Sequence, residues 1–175
     1  LDTVKTQAAE IKKVLFNGQK PEPVKQAPCV KKNEAFKTSG QVQYVAQNGN
    51  FRKKGLEYTG ALEILKVILS YDYLWINLRV KGGAYGCGCG FDSYCDNLTF
   101  TTYRDPKLAE SYNVFKGTGE FIRNYDFDEK ELTKFIIGAF SGYERPLSNA
   151  GKARRSFSAY MTGISYEDVL RERAE

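Results

Sequence analysis

Apolar side chains at Val4, Ala8, Ile11 and Leu15 recur at helical spacing, and the pattern predicts a helix over 3–16 that Gly18 stops. Residues 19–33 carry Pro21, Pro23 and Pro28 among polar positions and read as an extended connector. The first helix is therefore expected to pack apart from the rest of the chain. From Glu34 the pattern changes. Val42, Tyr44 and Ala46 alternate with Gln41, Gln43 and Val45, which predicts a strand closed by a turn at Asn48-Gly49. A basic loop then leads to a long helix over 58–78. Its apolar positions, Leu62, Leu65 and Leu69 together with Ile64, Ile68, Tyr71 and Trp75, cover more than one stripe, as in a helix buried between other elements. Strands over 80–91 and 98–103, joined through Asp92 to Asn97, form an expected antiparallel hairpin.

Four helical patterns follow, at 107–124, 128–141, 149–162 and 165–175. Asp105-Pro106 starts the first, with Asp as the cap and Pro at the first helical position, where its missing N–H costs nothing. Asp128 caps the second. Ser165, with Asp168 three residues on, makes a capping box with Asp in place of Glu. Strand, buried helix, hairpin and then helices predict an α+β fold, a mostly antiparallel sheet with helices packed on one face. The expected organisation is an N-terminal helix (1–18), an extended linker (19–33) and an α+β domain (34–175).

Composition narrows the function. A chain of 175 residues, 42% hydrophobic and 14% aromatic, can build one real core. No apolar run reaches the roughly 18 residues needed to cross a bilayer, since Glu63, Lys66, Asp72 and Asn77 interrupt the densest stretch, 61–80. No basic, then apolar, then small-residue leader opens the chain. The chain opens at Leu1 and closes on a helical pattern with no stop signal, so a piece of a larger polypeptide is expected. Histidine is absent, which excludes a His-based zinc site and a His-assisted nucleophile within these residues. The net charge of +5 is spread out. Lys31-Lys32, Arg52-Lys-Lys54 and Arg154-Arg155 read as solvated faces, so neither a nucleic-acid nor a membrane partner is expected.

Cys29, Cys87, Cys89 and Cys95 fit neither a disulfide framework nor a thiolate metal site. The chain is long enough to fold without staples, and one residue between Cys87 and Cys89 is too few for a usual ligand pair. On a strand both fall on one face, where Cys serves as a small buried hydrophobe. No metal is expected to bind this chain.

The segment Leu78-Arg-Val-Lys-Gly-Gly-Ala-Tyr-Gly-Cys-Gly-Cys-Gly-Phe91 carries the chemistry, with five glycines in the nine residues from Gly82 to Gly90. Phosphate-cradling loops run into a helix N-terminus, whereas these glycines run into a strand. Gly82-Gly83 instead permit a sharp bend from helix to strand, and Gly86, Gly88 and Gly90 leave one strand face bare for another backbone, such as an extended peptide. Arg79 and Tyr85 flank the bend. Converging on a carbonyl, they could stabilise oxyanion charge. From the residues alone the ordinary structural role is the stronger reading, with Arg79 paired to Asp105 or Asp92 and Tyr85 in the core.

Arg79-Val-Lys-Gly-Gly-Ala-Tyr-Gly86 followed by Thr102-Tyr-Arg-Asp-Pro106 resembles the C-terminal domain of the pitrilysin/insulinase family of zinc peptidases, in its presequence-protease-like branch. The match continues collinearly from Gln41-Val-Gln-Tyr-Val45 to Gly151–Gly163, and residues 1–33 match nothing specific. In that family four similar α+β domains form two halves closing around a chamber, and the first domain holds the zinc, its two histidines and the glutamate that activates water. The last domain contributes an Arg and a Tyr, six positions apart in this branch, as Arg79 and Tyr85 are here. The resemblance implies substrate-backbone and transition-state contacts from Arg79 and Tyr85, substrate binding at Gly86, and zinc only in the parent protein. It implies as partners the zinc-bearing N-terminal half of the same polypeptide and peptide substrates. Cys87-Gly-Cys89-Gly departs from the bulkier residues expected there. The inactive structural subunits of processing and respiratory complexes share the fold and give the alternative reading. Compartment stays open: cytoplasm in a bacterium, mitochondrial or plastid matrix in a eukaryote.

Overall fold

The computed structural model describes residues 2–15, 18 and 30–174, in two compact units, Leu1–Thr38 and Ser39–Glu175. In the first unit, α1 (Asp2–Val14) has Asp2 in its first turn and Lys12 and Lys13 in its last, matching the helix dipole. Of the connector predicted over 19–33, only residues 30–33 are described. Pro21, Pro23, Pro28 and Cys29 lie outside the described residues.

The second unit is α+β. Strands β1 (Ala46–Asn50), β2 (Gly86–Asp92) and β3 (Asn97–Tyr103) form an antiparallel sheet in the order β1-β3-β2. Between β1 and β2 runs α2 (Ala61–Ile68), continued by a π-helical segment, Leu69–Val80. Helices α3 (Leu108–Arg123), α4 (Glu129–Tyr143), α5 (Asn149–Thr162) and α6 (Tyr166–Ala174) follow β3. The side-chain period of two divides the sheet into unlike faces. One carries Cys87, Cys89, Leu98 and Phe100 and packs with Val45, Leu74, Leu78 and Phe115 as the core. Phe100 stacks on Phe115 at a centroid distance of 5.3 Å. The other face pairs Gly86 with Tyr103, Gly88 with Thr101 and Gly90 with Thr99. Helices therefore cover one face, and the glycine face carries little side-chain bulk.

Four expectations on the elements change. Asn48-Gly49 makes no turn: Asn48 pairs with Thr99 and Gly49 with Leu98, and the chain turns later, through Arg52–Lys54, where Gly55 takes a left-handed φ of 75°. The strand, expected within 34–48, accordingly runs over 46–50 instead, with a separate bridge from Gln43 to Asp105. The long helix changes winding at Leu69, so burial falls at Leu69, Leu74 and Leu78, spaced by five and four residues, while Tyr71 and Trp75 stay exposed. It also runs to Val80, and β2 starts at Gly86 where the strand was expected from residue 80. Finally, α3 begins after Lys107 rather than at Pro106. Asp105, 1% exposed, accepts from the Lys107 N–H at 2.8 Å and the Ser111 hydroxyl at 2.5 Å, holding the entry to the helix from outside it. The caps Asp128 and Ser165 form as expected.

Candidate functional site

The site begins where the π segment ends. Wide winding closes with the Lys81 N–H on the Ile76 carbonyl at 3.0 Å. The Gly83 N–H then reaches Arg79 O at 3.0 Å, and the Ala84 N–H reaches Leu78 O at 2.9 Å. Gly83 takes φ 85°, which an L side chain rarely adopts, and Ala84 is buried as a plug. The next N–H, that of Tyr85, is already shared between the carbonyls of Tyr103 (3.1 Å) and Arg104 (3.3 Å). Helix thus becomes strand within five residues, with Arg79 and Tyr85 on either side of the bend.

The two side chains meet. Arg79 Nη1 donates to the Tyr85 carbonyl oxygen at 2.6 Å, and its guanidinium carbon lies 4.2 Å from the Trp75 ring centroid and 5.5 Å from that of Tyr85. Tyr85 is 63% exposed, so it does not fill the core. Arg79 pairs with neither acid considered for it. Asp105 holds Lys107 and Ser111, and Asp92 accepts from the backbone N–H groups of Tyr94 and Cys95. Among the described residues Arg79 has no carboxylate partner. With Gly86, it and Tyr85 border a shallow cleft of about 380 Å³ that extends over Gly88, Thr101 and Tyr103.

Two half-buried thiols stand here, and Cys87 itself borders the cleft. Burial pushes the Cys87 thiol up to about 11, against the opposing pull of Arg79. Burial also raises Cys89, although hydrogen bonding with Ser70 and the charge of Lys66 act the other way. Among the described residues no group of three or more His, Cys, Asp or Glu side chains could hold a metal ion, and no helix is long and apolar enough to cross a membrane.

Arg104 was missed as a site residue. It takes φ 48°, and its guanidinium carbon lies 5.6 Å from the Tyr103 ring centroid and 6.0 Å from that of Tyr85. Tyr44 packs edge-on to Tyr103 at 5.2 Å. Two of these residues stand in the Thr102-Tyr-Arg-Asp-Pro106 motif, but their meeting with Tyr85 depends on strand pairing.

The structure presents an α+β domain with an exposed Arg–Tyr pair over a glycine-floored cleft, and comparison with known proteins places it in a peptidase-associated class. The chain belongs to the PreP C-terminal domain family, whose model matches residues 33–175. It is 41% identical over 145 residues to "Protein HypA" of Clostridium perfringens, covering 83% of this chain and 15% of that protein. It is 35% identical over 144 residues to "Presequence protease 1, chloroplastic/mitochondrial" of Arabidopsis thaliana, covering 82% of this chain and 13% of that protein. To the mitochondrial presequence protease of Saccharomyces cerevisiae it is 30% identical over 154 residues, 82% of this chain and 14% of that protein. The chain spans no more than 15% of the length of these three relatives.

Proposed function

We propose that this domain is the non-catalytic C-terminal part of a zinc peptidase that degrades peptides in a closed chamber. It would lend Arg79 and Tyr85 to a zinc site in the N-terminal half of the same polypeptide. The observation that carries the reading is the opening of both side chains onto one cleft, where Arg79 has no carboxylate partner among the described residues. When a peptide carbonyl is attacked, its oxygen gains negative charge. A guanidinium and a phenol O–H aimed at that oxygen stabilise the charge more than they stabilise the neutral carbonyl, and only such a difference accelerates the step. Arg79 uses one donor on the Tyr85 carbonyl, which leaves the rest of its fork for substrate. Gly86 and Gly88 present backbone without side chains to an extended peptide. In this reading the zinc is held by another domain, since the described residues offer no group of three or more His, Cys, Asp or Glu side chains that could hold it.

The test is turnover of a peptide by the full-length protein. Arg79→Ala and Tyr85→Phe are each expected to lower kcat about 10²- to 10³-fold, the loss typical of removing one oxyanion donor. Near-wild-type kinetics in both variants would overturn the assignment.

A further inference from the structure

The strain at Arg104 has a structural cause. Val45 pairs with Thr102, the Thr102 N–H reaching the Val45 carbonyl at 2.8 Å, while Gln43 bridges Asp105 by two backbone bonds of 2.8 Å each. Between these pairs stands Tyr44 alone on one strand and both Tyr103 and Arg104 on the other. Two residues opposite one make a β-bulge, which bends the strand and re-aims a side chain. The bulge is held from both ends. Thr102 is buried, and Asp105 is fixed by Gln43, Lys107 and Ser111. Arg104 is therefore kept at φ 48°, a region an L side chain occupies at a cost.

That backbone serves Tyr85 twice. The Arg104 carbonyl accepts the Tyr85 N–H at 3.3 Å, and the Arg104 side chain folds back so that its guanidinium stands 6.0 Å from the Tyr85 ring centroid. Tyr103 meets Tyr85 edge-on at 5.9 Å and Tyr44 at 5.2 Å, and hydrogen bonding to Tyr44 favours the charged form of Arg104. Arg79 approaches the same ring at 5.5 Å. An exposed tyrosine ring would ordinarily sample several rotamers. Here two cations and a neighbouring ring stand beside it.

We infer that Arg104 is a positioning residue for Tyr85: the bulge at Tyr103-Arg104 presets the Tyr85 ring so that its hydroxyl meets the substrate without reordering. This rests on the proposed role of Tyr85. A lost constraint of this kind appears in kcat, because misplacement of a reacting group costs up to about a hundredfold in rate.

The discriminating variant in the full-length protein is Arg104→Gly. Glycine takes φ 48° without penalty, so the melting temperature is expected to match or exceed wild type. Its kcat is expected to fall about ten- to a hundredfold with KM little changed. Arg104→Lys is expected to recover part of the loss. In a Tyr85→Phe background, Arg104→Gly is expected to change kcat by no more than about twofold, because the two residues act as one unit. A silent Arg104→Gly beside an impaired Tyr85→Phe removes the positioning role alone. So do losses that multiply fully in the double variant, or a loss of kcat matched by a fall in melting temperature. A silent Tyr85→Phe removes the proposed role of Tyr85 and the positioning role with it, and a silent Arg79→Ala beside it removes the reading of the site as a whole.

Discussion

Gly82 lies so close to the Leu78 carbonyl that a Cβ built on it would stand 2.4 Å from that oxygen and 2.9 Å from the carbonyl oxygen of Asn77. Both atoms belong to the end of the π segment and cannot swing aside as a side chain can. The bend that places Arg79 and Tyr85 therefore needs glycine here for space. Gly82→Ala is expected to destabilise the domain by about 1–3 kcal/mol, the usual cost of overpacking. Chemical denaturation checks this, and a wild-type midpoint would show that the bend can open at no cost.

Gly88 gives the opposite expectation. A Cβ there would meet nothing nearer than Thr101 Oγ1 at 4.0 Å, and its φ is negative-side or extended rather than left-handed. Gly88→Ala is expected to stabilise the strand by about 0.5–1 kcal/mol through the lost chain entropy of glycine. In the full-length protein the added methyl intrudes on the cleft floor, so KM for peptides is expected to rise several-fold with kcat little changed. Unchanged KM in that assay would show that substrate does not cross the glycine face.

What could be read from the chain came from local chemistry. The period-two pattern of Cys87, Cys89 and Phe91 against Leu98 and Phe100 specifies a two-faced hairpin, and Asp128 and Ser165 announce their helices by side-chain caps. The bend between Arg79 and Tyr85 was legible because it is written in adjacent glycines, whereas the role given to the pair came from the family resemblance and not from local chemistry. The π winding was not, since it depends on N–H groups choosing carbonyls five residues back rather than four. Asn48-Gly49 has strong turn chemistry, yet pairing along β3 overrides it. Arg104 was hidden for the same reason: its geometry comes from Tyr44, Gln43 and Asp105 meeting across the sheet.

Asp105 is the buried anchor of that bulge, and its two side-chain acceptor contacts define what its loss should do. Asp105→Ala leaves the Lys107 N–H without its acceptor in a part-buried site and removes a partner of the buried Ser111 hydroxyl. A loss of about 1–3 kcal/mol is expected. Ser111→Ala removes one donor but leaves the Lys107 contact, so about 1 kcal/mol is expected. Urea titration of the two variants checks the order. Equal midpoints would mean that the carboxylate contributes only through Ser111.

The thiols should separate by reaction rate. With its thiol near 11, Cys87 is thiolate in only about one molecule in a thousand at pH 8, and burial limits access further. Cys95 is exposed. Iodoacetamide at pH 8, followed by peptide mapping, is expected to modify Cys95 well before Cys87 and Cys89. The Cys87 rate should climb about tenfold per pH unit up to pH 10 while the fold persists. Early labelling of Cys87 at neutral pH would contradict its packing against the core.

The last helix carries a pH dependence whose sign is fixed by Asp168. Its carboxylate accepts from the Ser165 N–H at 2.9 Å and hydroxyl at 2.8 Å, while the Asp168 N–H donates back to Ser165 Oγ at 3.1 Å. The backbone bond from Ser165 is the main cause of its lowered pKa, with the Ser165 hydroxyl and Arg171 adding to it. A carboxyl that is more acidic folded than unfolded supports α6 at any pH above its unfolded value, about 3.9. As pH falls through the folded value the carboxylate is protonated and the support is lost. Helical Cα shifts of residues 166–174, followed by NMR from pH 7 to pH 2, should therefore decline only below about pH 4. Asp168→Ala should show the weakened helix already at pH 7, with no further fall on acidification from this group. A profile that is the same for both proteins would mean that the Ser165–Asp168 box does not hold the helix start.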